Sequence, residues 1–324
     1  MPEPVRTAIS FIIPALNEEK NIGRTIDSIE ACLSAGGALN TISGYEIVVV
    51  DNGSTDRTRE ICAAKGVKFL SHPGLTVGAL RNMGAETASG GVLVFIDADV
   101  SLTPRWSSRL PALIALLDEK PLTITGLRAK SDDSVSYSIK QWFSIGKNAA
   151  QENYINSGHM VVRKDVFTSL GGFNRALVSG EDSELCQRAS DSGISITPLD
   201  GLDAIHNEAP AGLLEFFKRE RWHGYGDYQS FSSFRRSKPA MTAALNVLAF
   251  FFLSTISLFY MEPAAVFFYL FILIGLSAIS GLHRNKFRVD YKFPVFIYMY
   301  MIYITARSFS LFDFVLGLNP RRWR

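Results

Sequence analysis

Asp97-Ala98-Asp99 closes the apolar run Val92-Leu93-Val94-Phe95-Ile96, which reads as a buried parallel strand. Two carboxylates at i and i+2 on a strand end point the same way. Like charges held together are costly unless something positive sits beside them. A divalent cation shared with a diphosphate meets that need, because Mg²⁺ and Mn²⁺ take oxygen ligands from carboxylates and phosphates alike. The competing reading is a polar loop whose aspartates cap the next helix.

The surrounding pattern weighs between the two. Apolar strands are expected at 8–13, 46–50, 67–70 and 91–96, with helices at 17–33, 55–64 and 75–88; Ile22, Ile26, Ile29 and Leu33 fall at helical spacing in the first of these. This alternation predicts a parallel sheet with helices on its faces, and such sheets bind ligands at the carboxyl ends of their strands. Polar clusters fall at three of those ends: Pro14-Ala15-Leu16-Asn17-Glu18-Glu19, Asp51-Asn52-Gly53-Ser54 and Asp97-Ala98-Asp99. There is no G-x-G-x-x-G and no G-x-x-x-x-G-K-[ST] run, so a dinucleotide enzyme or a P-loop NTPase is disfavoured.

The 324 residues carry a formal net charge of +2 and are 47% hydrophobic. That balance gives no sign of nucleic-acid binding. Cys32, Cys62 and Cys186 are far apart in sequence, which fits a reducing compartment and neither a disulfide framework nor a zinc site. Residues 1–7 are polar and lack the apolar region of a signal peptide. Two long stretches, 239–261 and 263–282, hold no charged residue. Each is long enough to cross about 30 Å of hydrocarbon as a helix, and in tandem they read as a transmembrane hairpin with spans near 240–261 and 263–282. Arg235, Arg236 and Lys238 before it, and Arg284, Lys286 and Arg288 after it, place both flanks and the preceding domain on the cytoplasmic side. A third apolar segment, 293–318, is interrupted by Arg307 and Asp313 and followed by Arg321, Arg322 and Arg324. A third span and an interfacial or re-entrant helix both remain open for it. The expected organisation is a soluble domain at 1–234 and a membrane region at 235–324.

Five stretches carry a family resemblance: Ile12-Ile13-Pro14-Ala15-Leu16-Asn17-Glu18-Glu19, Val48-Val49-Val50-Asp51-Asn52-Gly53-Ser54-Thr55-Asp56, Arg81-Asn82-Met83-Gly84, Phe95-Ile96-Asp97-Ala98-Asp99 and Gly180-Glu181-Asp182. In this order and spacing they resemble the inverting family 2 glycosyltransferases with a GT-A fold, over roughly residues 8–225. The resemblance implies a Rossmann-like, mostly parallel α/β sheet with helices on both faces. It implies a nucleotide-diphosphate sugar donor lying across the first two strand ends, with Pro14, Asn17 and Glu19 beside ribose and base and Asp51 accepting from the base edge. Asn17 could also cap a helix, and Asp51 could be a turn acid before Gly53. Arg81 would meet base or diphosphate through its fixed fork.

By the same resemblance Asp99 is the direct ligand of a Mn²⁺ or Mg²⁺ ion, Asp97 serves ribose or metal, and His206 adds a metal ligand. Asp182 is the implied general base that takes the acceptor hydroxyl's proton. It sits at the start of an expected helix, 183–192, whose dipole would favour its ionised form. Gly158, in the stretch 155–162, is expected to let the donor sugar approach, or to form a bulge. Lys218-Arg219-Glu220-Arg221-Trp222 is similar to the Q-x-x-R-W element of processive synthases, but Lys218 stands where that element has glutamine, which argues against processivity. Arg221 would hold the diphosphate and Trp222 stack on an acceptor, or the segment, with Leu213, Leu214, Phe216 and Phe217, would lie on the membrane surface.

The expected protein is thus a membrane-anchored, metal-dependent, inverting glycosyltransferase of cell-envelope glycans. Its active site would face the cytoplasm and serve a lipid-linked or glycan acceptor among membrane lipids. A polyprenyl-phosphate sugar synthase is the rival enzyme, and a non-catalytic membrane scaffold the rival of another class.

Overall fold

The computed structural model describes residues 7–34, 38–127, 129–131, 136–144, 154–207, 210, 212–260, 263–285 and 287–318. Contacts divide the chain into two compact units. The first comprises Met1–Asp132, Asn148–Leu177 and Glu181–Glu208; the second comprises Asp133–Lys147, Val178–Gly180 and Ala209–Arg324.

The first unit is built on a sheet of seven strands. These are β1 (Ile9–Ala15), β2 (Tyr45–Asp51), β3 (Lys68–Ser71), β4 (Val92–Ile96), β6 (Thr123–Gly126), β8 (His159–Arg163) and β9 (Ser195–Ile196), in the order β3-β2-β1-β4-β8-β6-β9. Three short strands, β5 (Val100–Leu102), β7 (Lys130–Ser131) and β10 (Ala204–His206), form a second sheet in the order β5-β10-β7. In the large sheet only β8 is reversed: it pairs antiparallel with β4 and β6, while β1 pairs parallel with β2 and β4 and β6 parallel with β9. The sheet is therefore mostly parallel, as its alternating apolar runs imply.

Alternation along β1 sends side chains to both faces. Ile9, Phe11, Ile13 and Ala15 join one core with Ile22, Ile26, Ile29 and Leu33 of α1 (Ile22–Ser34). Trp106 of α4 (Pro104–Ser108) and Leu110, Leu113 and Leu117 of α5 (Leu110–Glu119) complete that face. Ile12 faces the other way and packs with Ala85 of α3 (Val77–Thr87) and with α7 (Lys164–Ser169) and α8 (Glu181–Asp191). Between β2 and β3 runs α2 (Thr58–Ala64). Pro14 falls beyond the last residue of β1 paired with β4, so its missing N–H breaks no ladder there.

Gly84 sets how closely α3 lies on β1. A β-carbon built at Gly84 would fall well inside van der Waals contact distance of Ile12 Cγ2 and 3.2 Å from Val50 Cγ2. Gly84→Ala must push α3 off the sheet, and we expect it to destabilise the protein by about 1–3 kcal/mol, read as a lower unfolding midpoint of the detergent-solubilised chain.

The first three expected helices begin later than their periodicity suggested, the second at Thr58 in place of 55 and the third at Val77 in place of 75. The expected first helix started at residue 17, but α1 starts at Ile22. Asn17 is left-handed, with φ of 57°, and residues 17–21 form a loop in which the N–H groups of Asn17, Glu18 and Glu19 bond to side chains after β2 rather than within a helix.

The second unit contains α6 (Tyr137–Ser144), α9 (Leu213–Tyr225), α10 (Phe231–Arg236) and three long helices, α11 (Lys238–Tyr260), α12 (Ala264–Arg284) and α13 (Phe293–Val315). All three are long and apolar enough to cross a membrane. The expected link between the first two includes residues 261 and 262, which lie outside the described residues, as do Lys286 and residues 319–324.

Candidate active site

Because β1, β2 and β4 are parallel, the loops that follow them leave from one edge of the sheet. Reversed β8 starts at that same edge, with His159 paired to Ile96. The sequence thus delivers 16–21, 52–57, 97–99 and 156–158 to one place.

The first two loops are laced together. Asn17 N–H donates to Ser54 Oγ at 2.8 Å, and Asn17 Oδ1 accepts from Thr55 N–H at 2.8 Å. Glu18 N–H donates to Thr58 Oγ1 at 2.8 Å, and Glu19 N–H to Asp56 Oδ2 at 3.0 Å. The Glu19 carboxylate accepts from Arg57 N–H at 3.2 Å and Nε at 3.3 Å. Asp51, 3% exposed, ends β2 and turns its carboxylate onto the next turn, accepting from Gly53 N–H at 2.9 Å and from the Ser54 backbone and hydroxyl. Its observed work is that of the turn acid.

Asp97 and Asp99 part company. The i,i+2 argument assumes a continuing strand, but Val100 N–H donates to Asp97 O at 3.1 Å, and the chain turns between β4 and β5. Asp97 Oδ1 accepts from Arg81 at 2.5 Å, while Asp99 Oδ2 lies 3.6 Å from His206 Nε2. His206 arrives because β10 pairs antiparallel with β5, His206 opposite Val100. His206 Nδ1 is buried and finds no hydrogen-bond partner among the described residues. No group of three His, Cys, Asp or Glu side chains is gathered for a metal ion among the described residues. Asp99 and His206 nonetheless form a carboxylate–imidazole pair of the type that Mn²⁺ accepts.

Arg81 is 2% exposed and does not point to solvent. Its guanidinium bridges Asp97 and Glu181, the latter accepting at 2.7 Å. Glu181 is 5% exposed and also accepts from Ser157 Oγ at 3.1 Å. Arg81 therefore ties the turn after β4 to the start of α8. Its neighbour Asn82 clamps the preceding loop, donating to Phe173 O at 2.8 Å and accepting from Phe173 N–H at 2.9 Å. Neither role is visible in sequence, since the partners lie up to 100 residues away.

Asp182 stands beside this bridge. Its Oδ2 accepts from Asn156 Nδ2 at 3.1 Å and Ser157 N–H at 3.3 Å, and its Oδ1 from Ser183 N–H at 2.8 Å. Burial, then the neighbouring Glu181 carboxylate, push it up to about 7. The helix start favours the ionised form, but loss of hydration and a second carboxylate outweigh it. Gly158 sits against Asp97, where a β-carbon would come 2.5 Å from Asp97 Oδ2. The close approach visible at Gly158 is thus by that carboxylate.

A buried pair that sequence reasoning missed supports the same edge. Trp106 Nε1–H donates to His159 Nε2 at 2.9 Å, and His159 Nδ1 lies 2.8 Å from Leu127 O. The imidazole is thereby a neutral tautomer with its proton on Nδ1, and burial holds it down to about 4. No local spacing signals this pair.

Arg221 and Trp222 belong to the second unit, on α9. Arg221 makes a two-pronged ion pair with Asp313 at 2.5 and 2.6 Å. Trp222 lies edge-on to His223, with ring centroids 4.8 Å apart.

Comparison with known proteins gives the arrangement a context. The model of the family described as glycosyl transferase family 2 matches residues 10–175. Glycosyltransferase AglE of Haloferax volcanii is 28% identical over 235 residues, 68% of this chain and 73% of its own length. An undecaprenyl-phosphate 4-deoxy-4-formamido-L-arabinose transferase of Yersinia pestis is 28% identical over 141 residues, 41% of this chain and 40% of its own. Among solved structures, the mannosyltransferase PcManGT of Pyrobaculum calidifontis, in complex with GDP-Man and Mn²⁺, superposes with a TM-score of 0.62 at 15% identity, covering 97% of this chain and 88% of that one. That likeness is one of fold.

Proposed function

The chain belongs to glycosyl transferase family 2, whose enzymes draw on nucleotide sugars, and on that premise we propose a metal-dependent, inverting transfer of the sugar to a lipid-linked acceptor. The observation that carries this reading is the Arg81 bridge, which holds the turn of Asp97 and Asp99 beside Glu181 and Asp182 at one sheet edge.

In this reading the laced loops after β1 and β2, with Pro14, Asn17, Glu19 and Asp51, seat the nucleoside. Asp182 accepts the proton of the acceptor hydroxyl as its oxygen attacks the anomeric carbon, and a value near 7 suits a base that must take a proton and later release it at neutral pH. A single displacement inverts that centre, since no enzyme nucleophile intervenes. Asn156 and the Ser157 backbone hold Asp182 Oδ2, and each carboxylate oxygen keeps acceptor capacity for the hydroxyl. Asp99 and His206 would hold the divalent cation, with Asp97 in support. When bound, the cation supplies charge neutralisation for the departing diphosphate.

Arg221 and Trp222 are kept as candidate acceptor- or phosphate-side groups, and Gly158 as a neighbour of the donor sugar. The three apolar helices support membrane association. With the basic residues Arg235, Arg236 and Lys238 at the start of α11, they favour a cytoplasmic catalytic domain and an acceptor presented at the bilayer. The Yersinia relative, whose name includes undecaprenyl-phosphate, supports a lipid-linked acceptor; a lipid phosphate that itself attacks is the rival reading, in which Asp182 is not needed as base.

The direct test is a screen of nucleotide sugars, with membrane lipid extracts as acceptor, with Mn²⁺ and with a chelator. Transfer to lipid seen by mass spectrometry, lost on chelation, is the expected result. Calorimetry showing no binding of any nucleoside diphosphate with Mn²⁺ present would overturn the enzymatic reading.

A further inference from the structure

α13 is the third helix apolar enough to span, yet over residues 296–308 its contacts with α11 and α12 lie toward one end of both. Near its start, Phe296 packs on Gly281, where a β-carbon would be 3.3 Å from Phe296 Cβ. Gly281 is three residues, about 5 Å, from the end of α12. Farther along, Ser308 Oγ accepts from Asn246 Nδ2 at 3.0 Å and lies 3.4 Å from Ala243 O, its own proton going to Ile304 O at 2.9 Å. Ala243 and Asn246 lie about 8 and 12 Å from the start of α11. The start of α11 and the end of α12 are the same end of the hairpin.

From Phe296 to Ser308 α13 advances about 18 Å along its own axis. A helix crossing upright would gain nearly all of that in depth, but its anchors deepen by only about 3–7 Å. Phe312 does reach Phe251, ring centroids 6.0 Å apart, so the helix tilts inward. Phe251 lies about 20 Å from the start of α11, just past its middle and still about 13 Å short of Tyr260.

The other side of α13 is covered by a polar helix. α9 follows it from Phe216, clustered with Met299, to Arg221, paired with Asp313. Gly224 brings the two backbones together against Ser310, and Ser310 Oγ donates to Arg221 O at 2.5 Å. Arg307 pairs with Glu220 at 3.1 Å and with Asp227 at 2.9 Å. Were α13 to cross, α9 would carry Glu215, Lys218, Arg219, Glu220, Arg221 and His223 alongside it into hydrocarbon, where such residues are strongly disfavoured. The two charges that interrupt the third segment are instead the residues by which it binds α9. Tyr298, Val315 and Leu316 remain exposed, whereas Phe309 and Phe314 pack on Phe217 and Tyr225 of α9; a tyrosine with aliphatic neighbours is the make-up of a headgroup boundary.

We propose that α13 does not cross the bilayer: it lies tilted in the leaflet that holds the start of α11 and the end of α12, one face toward lipid and the other toward α9. The chain then crosses twice, and residue 318 lies on the same side as residue 237. This rests on reading α11 and α12 as a crossing hairpin, and the test separates the two.

Single substitutions Ala264→Cys, Leu318→Cys and Phe231→Cys are made in the full chain, whose own Cys32, Cys62 and Cys186 are buried. Intact cells are treated with a membrane-impermeant maleimide, with permeabilised cells as reference. The expected result is labelling of the Ala264→Cys variant from outside, and of the Leu318→Cys and Phe231→Cys variants only after permeabilisation. Labelling of both the Ala264→Cys and Leu318→Cys variants from outside overturns the proposal and leaves the hairpin intact. An Ala264→Cys variant closed to the reagent in intact cells removes the hairpin, and the proposal with it.

Discussion

Asp182→Asn is expected to lower kcat by about 10²–10⁴-fold, the usual contribution of a positioned general base. Nucleoside diphosphate affinity, measured by calorimetry, should stay within a few-fold. Asparagine keeps an oxygen that can accept from Asn156 and Ser157, so the geometry survives while the proton acceptor is lost. The wild-type pH profile gives an independent reading. A base works when deprotonated, and with Asp182 pushed up to about 7, kcat should rise as pH increases through neutrality and then level off; the variant's residual rate should lack that rise. If the variant retains most activity, the acceptor is a nucleophile already ionised, such as a lipid phosphate. Stability should move the opposite way. The unfolded chain releases this proton near pH 4, whereas the native state holds it until about 7. Between those values the native state binds more protons, so Asp182 lowers stability as pH rises. Asp182→Asn should therefore raise the unfolding midpoint at pH 8 relative to wild type, the difference fading below about pH 4.

Arg81→Met is the second large effect. Asp97 and Glu181 would be left facing each other without a counter-charge, one of them 5% exposed. Removing one partner of a buried ion pair costs about 3–5 kcal/mol, enough to lower the unfolding midpoint sharply and abolish transfer. Arg81→Lys should recover only part of this, because a single ammonium does not reproduce a planar fork that spans two carboxylates at 2.5 and 2.7 Å. Adding Glu181→Gln to Arg81→Met removes one uncompensated charge, so the double variant should be more stable than Arg81→Met alone. Simple additivity of the two losses would show that the bridge does not couple them.

The legible part of the molecule was the part governed by period and by sheet topology. Apolar runs such as Val92–Ile96 and Ile9–Ala15 became central strands, and their parallel order brought Asp51, Asp97 and the Asn17 loop to one edge. Asp97 and Asp99 show where that reasoning stops. Period-2 alternation holds only while the chain stays extended, and a turn at 97–100 sends the two carboxylates to different partners. The charge of Arg81 is legible, but its ion pairs span 16 and 100 residues, and spacing along a chain carries no information at that range. The start of α1 is not legible because Ile22 and Ile26 set a period that extends formally back to Asn17, while a left-handed residue and a neighbouring loop hold 17–21 open. The value of Asp182 depends on how thoroughly folding strips its water, which no motif states.

The lacing of the two nucleoside-side loops bears on the thermodynamics of binding. Asn17, Glu18 and Glu19 are fixed to Ser54, Thr55, Asp56 and Thr58 by the chain's own atoms, so the ordering of these segments is settled during folding and not at the moment of capture. A ligand arriving at a preassembled rim forfeits little loop entropy. Its heat-capacity change should then be small, reflecting the area covered and not a coupled folding event.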